Sequence, residues 1–286
     1  MLGKITVGLL FLLLVWGNLV AGMKAGLGCP DWPLCHGRVV PPLGLETYME
    51  YMHRVIAACA TSLLAVLSYN RFKAYTGPFR AVPVVSVLLV AAEVVLGGMV
   101  VLLGLPMELT VFHFTAGLTV FLLAFYMMSF DGVTHRPAFS IGGPGALYPV
   151  FGLVVFMQAV LGAYVRHSGS GLSCPDFPAC LGSVFPRLVD GHVAAHFSHR
   201  LVGYLILATA FLIYGFTASV RRPHMEKDLA VVLAVLVLIQ VAAGAVVVLT
   251  GLYYLATALH MAVALSILMV LGLMWKASVQ KAGGSS

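Results

Sequence analysis

The stretch TYMEYMHRVIAACATSLLAVLSY, residues 47–69, decides the fold class: an apolar run of membrane-spanning length with Glu50, His53 and Arg54 near its start. A helix crossing the hydrocarbon core of a bilayer needs about 20 mostly apolar residues. Seven further runs qualify, at 4–25, 81–103, 109–130, 146–166, 193–218, 229–250 and 253–275. Inside a bilayer, unpaired backbone groups find no water, so runs of this length are predicted as helices. The first run lacks a convincing cleavage site after Ala21 and reads as a helix rather than a signal peptide. Of the 286 residues, 61% are hydrophobic and 9% charged, against about 25% charged in an ordinary soluble domain. That excludes a soluble enzyme. The net charge of +6 is explained by loop topology and gives no reason to expect nucleic acid as a partner.

The chain repeats itself. Cys29 and Cys35 recur at Cys174 and Cys180, an offset of 145, and His53-Arg54 recurs at His199-Arg200, an offset of 146. His113, Gly97 and Thr110 recur at His260, Gly244 and Thr257, an offset of 147. The expected fold is therefore an all-α polytopic membrane protein, with eight transmembrane helices in two tandem pseudo-symmetric four-helix bundles. The units are expected at 1–140 and 141–286. Four spans return the chain to its starting side, so the repeat is expected to be parallel, about an axis along the membrane normal.

Basic residues favour the cytoplasmic side of a membrane. Ten of the sixteen Lys and Arg residues fall on the side of the termini, among them Lys4, Arg71, Lys73, Arg80, Arg221 and Arg222. Both termini are thus expected in the cytoplasm, with the loops near 26–46 and 167–192 outside a plasma (inner) membrane. These outer loops carry Cys29-Pro30-Asp31-Trp32-Pro33-Leu34-Cys35 and Cys174-Pro175-Asp176-Phe177-Pro178-Ala179-Cys180. An oxidising location points to the disulfides Cys29–Cys35 and Cys174–Cys180. A redox-active dithiol stays open, while C-x5-C is not a usual zinc spacing. Cys59 is expected to be a small buried apolar side chain.

His53, His113, His199 and His260 lie on the second, fourth, sixth and eighth runs. All four runs point inward from the outer face, so the imidazoles are expected at one depth in the outer third of the bilayer. Polar groups there are costly and usually functional. Opposed histidines in a four-helix bundle are a common way to hold heme iron. One bis-His site per unit follows, His53 with His113 and His199 with His260; a non-heme metal or plain packing are the alternatives. The lack of C-x-x-C-H means any heme is held noncovalently. Arg54 and Arg200 either snorkel to headgroups or pair with heme propionates. Gly97, Gly98 and Gly244 allow close helix approach or room for a flat macrocycle.

The units differ three residues before the first histidine, where one has Glu50 and the other His196. Spacing of i, i+3 puts Glu50 one turn from His53 on the same face. A carboxylate there suits acid-base work, the alternative being a salt bridge to Arg54 or a propionate. The role of His196 is not legible. Glu46 is expected to be exposed, and Glu93, matched by Gln240, reads as a helix-helix hydrogen bond.

This set of residues resembles the heme A synthases: a CPDWPLC loop, Glu50-x-x-His53-Arg54, and a second His-Arg in a duplicated half, with the likeness running over the whole chain. The resemblance implies oxidation of the C8 methyl of heme O to a formyl by successive hydroxylations, giving heme A for cytochrome c oxidase. It implies that His199 and His260, with Arg200, hold heme b as an electron-transfer cofactor. His53, His113 and Arg54 then bind the substrate heme, and Glu50 is the catalytic carboxylate. Cys29 and Cys35 are linked in the family to heme transfer or redox. Expected partners are the heme O-forming farnesyltransferase, an electron-transfer partner and the lipid bilayer; homo-oligomers are permitted. A noncatalytic diheme electron carrier or a heme transporter is the competing reading.

Overall fold

Every one of the apolar runs becomes a helix in the computed structural model, which describes residues 1–42, 44–139, 143–219 and 224–283. In chain order they are α1 (Leu2–Gly22), α2 (Leu45–Ala74), α3 (Ala81–Leu102), α4 (Met107–Ser129), α5 (Leu147–His167), α6 (Gly191–Ser219), α7 (His224–Leu249) and α8 (Tyr254–Gly283). Among the described residues, these eight are long and apolar enough to cross a membrane. The loop arginines Arg221 and Arg222 lie outside the described residues.

The helices outrun the apolar stretches where polar side chains find partners. α2 continues past Tyr69 to Ala74 because a helix needs backbone hydrogen bonds, not apolarity, to propagate. There Arg71 Nε donates to Met127 O (2.7 Å) and Lys73 Nζ lies 4.3 Å from the centre of the Tyr69 ring. Cys59 corrects an expectation: it is exposed on α2. A membrane protein presents an apolar exterior as well as an apolar core, so an apolar residue need not be inside.

The chain forms two compact units, Met1–Ala138 and Phe139–Ser286. In the first, α1 packs on α2, α2 on α3, α3 on α4, and α4 back on α1, so the ring closes. The second closes the same way through α5, α6, α7 and α8. In each ring the two histidine-bearing helices, α2 with α4 and α6 with α8, therefore stand diagonally across the bundle.

The turns are duplicated too. α3 and α7 both end by passing through left-handed backbone, at Gly104 and Leu105 (φ 75° and 61°) and at Gly251 and Leu252 (φ 65° and 67°). In the loops, His36 and Gly37 match Leu181 and Gly182, again at positive φ (53°, 69°, 55° and 74°).

Candidate functional site

Each cysteine pair is a disulfide, Cys29–Cys35 with Cα atoms 4.7 Å apart and Cys174–Cys180 with 4.6 Å. The turn between the cysteines is organised by an aspartate. Asp31 accepts the backbone N–H groups of His36 (2.6 Å) and Gly37 (2.7 Å), and Asp176 those of Leu181 (2.7 Å) and Gly182 (2.9 Å). The Gly37 bond foremost holds the Asp31 carboxyl below the ordinary value of 3.8, against some desolvation; for Asp176 the Gly182 bond does the same.

The arginines of the two His-Arg pairs clasp these loops. Arg54 Nη1 donates to Asp31 O (2.7 Å) and Leu34 O (2.6 Å), and Nη2 donates to Cys29 O (2.8 Å). Arg200 repeats this on Asp176 O (2.6 Å), Ala179 O (2.6 Å) and Cys174 O (2.5 Å). The planar fork of a guanidinium suits three carbonyls converging from one bent loop. The remaining Nε–H is where the units part. Arg54 Nε donates to Glu50 Oε1 at 2.9 Å, and Arg200 Nε to His196 Nε2 at 3.3 Å. On its other side, His196 Nδ1 lies 3.0 Å from Ser170 O and 3.3 Å from the backbone nitrogen of Cys174. His196 thus ties the second outer loop to α6, a role hidden in the sequence. Glu50 and His196 are both buried, 5% and 4% exposed; Glu46 in the first turn of α2 is exposed.

The four histidines share one packing device. Each ring lies against a glycine of the preceding helix. A Cβ built on Gly17 would come 3.0 Å from His53 Cε1, on Gly97 3.0 Å from His113 Cε1, on Gly162 2.9 Å from His199 Cε1, and on Gly244 3.1 Å from His260 Cε1. Bare backbone at these points lets the Cε1 edge of each ring approach the neighbouring helix closely. Gly97 and Gly244 thus serve close approach, in keeping with their repeat. Gly17 and Gly162 are not singled out by residue type, although their offset of 145 marks them as a repeated pair.

In the second unit the rings of His199 and His260 have centroids 6.5 Å apart, tilted 63° to each other. An imidazole nitrogen sits about 2.0–2.1 Å from the metal it binds, so two rings on opposite sides of one iron have centroids about 6–6.5 Å apart. The spacing fits. The Nδ1 atoms of all four histidines are buried without an aligned hydrogen-bond partner. Among the described residues no group of three or more His, Cys, Asp or Glu gathers to hold a metal ion. Two protein ligands suit an iron whose other four come from a porphyrin, which favours heme over a non-heme metal.

Residues around the histidines complete the site. Gln158 on α5 donates to His199 O at 2.7 Å, and Trp16 on α1 donates to Met49 O at 2.9 Å. Glu93 on α3 brings Oε1 to 2.9 Å from His113 Nδ1, though the ring N–H does not point at it. Gln240 on α7 brings Nε2 to 3.2 Å from His260 Nε2. That position joins neighbouring helices in both units, and it does so through the histidine. Trp32 of the first loop lies against α3, where a Cβ on Gly98 would come 2.8 Å from its indole. His36 and His192 serve the loops, through Gly28 O (2.9 Å) and Ser170 Oγ (2.9 Å).

A sequence profile of the cytochrome oxidase assembly protein family (COX15-CtaA) matches residues 185–272. The chain is also similar to curated proteins over most of its length. It is 32% identical over 243 residues to a heme A synthase of Alkalihalophilus pseudofirmus, covering 82% of this chain and 81% of that protein. It is 31% identical over 254 residues to a heme A synthase of Halalkalibacterium halodurans, covering 84% and 83%. A heme A synthase of Bacillus cereus is 27% identical over 297 residues, covering 97% and 94%.

Proposed function

This chain belongs to the heme A synthase family, membrane oxidoreductases that convert heme O to heme A, and on that premise we propose how its two units divide the work. The second unit holds heme b between His199 and His260. The first takes heme O between His53 and His113. When bound, heme b supplies one-electron transfer; the rest falls to side chains of the chain itself. The observation that carries this division is a carboxylate in one unit only: Glu50 stands where the second unit has His196.

Glu50 is the catalytic carboxylate in this reading. Arg54 Nε engages Oε1, which fixes the carboxyl group and leaves Oε2 to exchange a proton. One turn along α2, His53 positions the substrate, so the carboxylate has a defined place relative to the macrocycle. Oxidation of the C8 methyl leaves an electron-poor carbon. Each round breaks one C–H bond of that carbon, its two electrons passing to the electron-transfer partner and its proton to solvent; as water bonds to the carbon in its place, Glu50 takes the proton that the water releases, a general-base role. In the second unit the same arginine valence is spent on His196, which suits a unit that only relays electrons.

The arginines act on the loops in this reading. Their donors are directed at three loop carbonyls each, so Arg54 and Arg200 align the disulfide loops over the sites and have little left for a propionate. The loops lie on the outer face of the plasma membrane and both termini in the cytoplasm. A farnesyltransferase supplies heme O, and an electron-transfer partner takes the electrons. The test is chemical identification of the heme in each half. Purified His113→Ala should lose bound heme O or its oxidation products and keep heme b; His260→Ala should lose heme b.

A further inference from the structure

One repeat position carries Glu93 in the first unit and Gln240 in the second, and each side chain lies against the histidine of the next helix. The two contacts are not equivalent. Glu93 Oε1 is 2.9 Å from Nδ1 of His113, whereas Gln240 Nε2 is 3.2 Å from Nε2 of His260. The reason lies one turn further along α4. A Cβ on Gly117 would come 3.0 Å from Glu93 Oε1. The carboxylate is seated in a niche that exists because residue 117 has no side chain. The matching position of α8 is Ala264, which carries a methyl group where Gly117 has none. Two independent asymmetries, Glu93 for Gln240 and Gly117 for Ala264, act together on one imidazole.

We propose that Glu93, seated on Gly117 with Oε1 2.9 Å from His113 Nδ1, is a positioning and tuning residue for His113: when Nε2 engages the substrate iron the ring turns its unpartnered Nδ1–H onto this carboxylate, which makes His113 a stronger donor ligand than its counterpart His260. This rests on the reading that the first unit binds heme O. The physical warrant is general. A ligating histidine donates its other ring N–H to an acceptor, which fixes ring orientation and tautomer, and a carboxylate acceptor raises the donor strength of the imidazole. The surroundings of Glu93 suit it to this role, since its side chain is 14% exposed and Oε2 is buried without a partner. The second unit offers His260 an amide on the other ring nitrogen. The consequence is an offset between two otherwise duplicated sites. Iron on the Glu93 side is biased toward the ferric state, and iron on the Gln240 side is not.

The experiment is spectroelectrochemical titration of the purified full-length protein, loaded with heme O and carrying its own heme. The component absent from His113→Ala is assigned to the first unit and the component absent from His260→Ala to the second, with extraction identifying the heme in each. Glu93→Gln, nearly isosteric, should weaken the ferric preference of the first-unit component about tenfold, an upward shift of about 59 mV for one electron, and leave the second-unit component in place. Gly117→Ala should shift it the same way. Gln240→Glu alone lacks the niche, so Gln240→Glu with Ala264→Gly should lower the potential of the second-unit component. Unchanged potentials for both Glu93→Gln and the double variant overturn the proposal, as does an equal shift of both components in Glu93→Gln. If extraction shows heme b in both units, the substrate assignment fails while the potential shift still decides the role of Glu93.

Discussion

Gly162 on α5 lies so close to His199 on α6 that a methyl group there would come 2.9 Å from Cε1 of the ring. Such contacts leave no room for relaxation without moving the ring or parting the helices. Gly162→Ala should therefore lower heme b content severalfold and destabilise the unit by about 1–3 kcal/mol. Gly152, ten residues earlier on the same helix, faces open space. Gly152→Ala should be neutral or slightly stabilising, by up to about 1 kcal/mol. Soret absorbance per protein and thermal unfolding in detergent check both.

Arg54 and Arg200 hold their loops through fork geometry. Lys carries the same charge but offers one flexible ammonium in place of a planar set of donors. Arg200→Lys should cost about 2–4 kcal/mol, since charge-assisted bonds are worth about 1.5–3 kcal/mol each and do not add fully. The loop should also become more accessible to reductant. The rate of Cys174–Cys180 reduction in folded protein measures this directly.

Asp31 gives the first loop a sign in its pH dependence. Its carboxyl is held below the ordinary 3.8 by the Gly37 N–H first of all. A depressed folded value means that its contribution is complete above the unfolded value and is lost as pH falls through the folded one. Loop order should thus be constant at neutral pH and decline only below about pH 3.8. Asp31→Asn should remove this acid step. Hydrogen exchange at the backbone N–H groups of His36 and Gly37, followed against pH, is the check.

Glu50→Gln keeps the size of the side chain, and the three loop carbonyls still hold Arg54. Heme content should stay close to that of the parent. Conversion of heme O should fall by about 100-fold or more, the scale of a lost general acid-base group. Single-turnover assays with chromatographic resolution of heme O, hydroxylated heme and heme A give the rate and the step that stalls.

The fold is legible in the sequence where physics leaves few options. A bilayer admits helices or closed barrels, so eight apolar runs mean eight helices, and the duplicated Cys and His positions mark the two candidate sites. Legibility ends where an outcome depends on the path of a loop. Residue type leaves Arg54 and Arg200 balanced between headgroups and propionates, because three backbone carbonyls gathered by a small disulfide ring leave no mark in it. Gly17 and Gly162 are inconspicuous because glycine inside an apolar run means little until its neighbour is known. Glu93 reads as a link between helices, which it is, but the niche at Gly117 that aims it at His113 is a matter of three residues on two helices. For Cys59, the rule that apolar residues go inside belongs to water-soluble cores and fails on a lipid-facing helix.

The central claim is that one duplicated pair of histidines holds a tool and the other its substrate. Heme extraction from His199→Ala and from His53→Ala, each expressed with ample heme O, tests it most directly. The division of labour predicts that the first variant loses heme b alone and the second loses heme O and heme A alone. Loss of the same heme from both variants, or an unaltered Soret band in either, would contradict it.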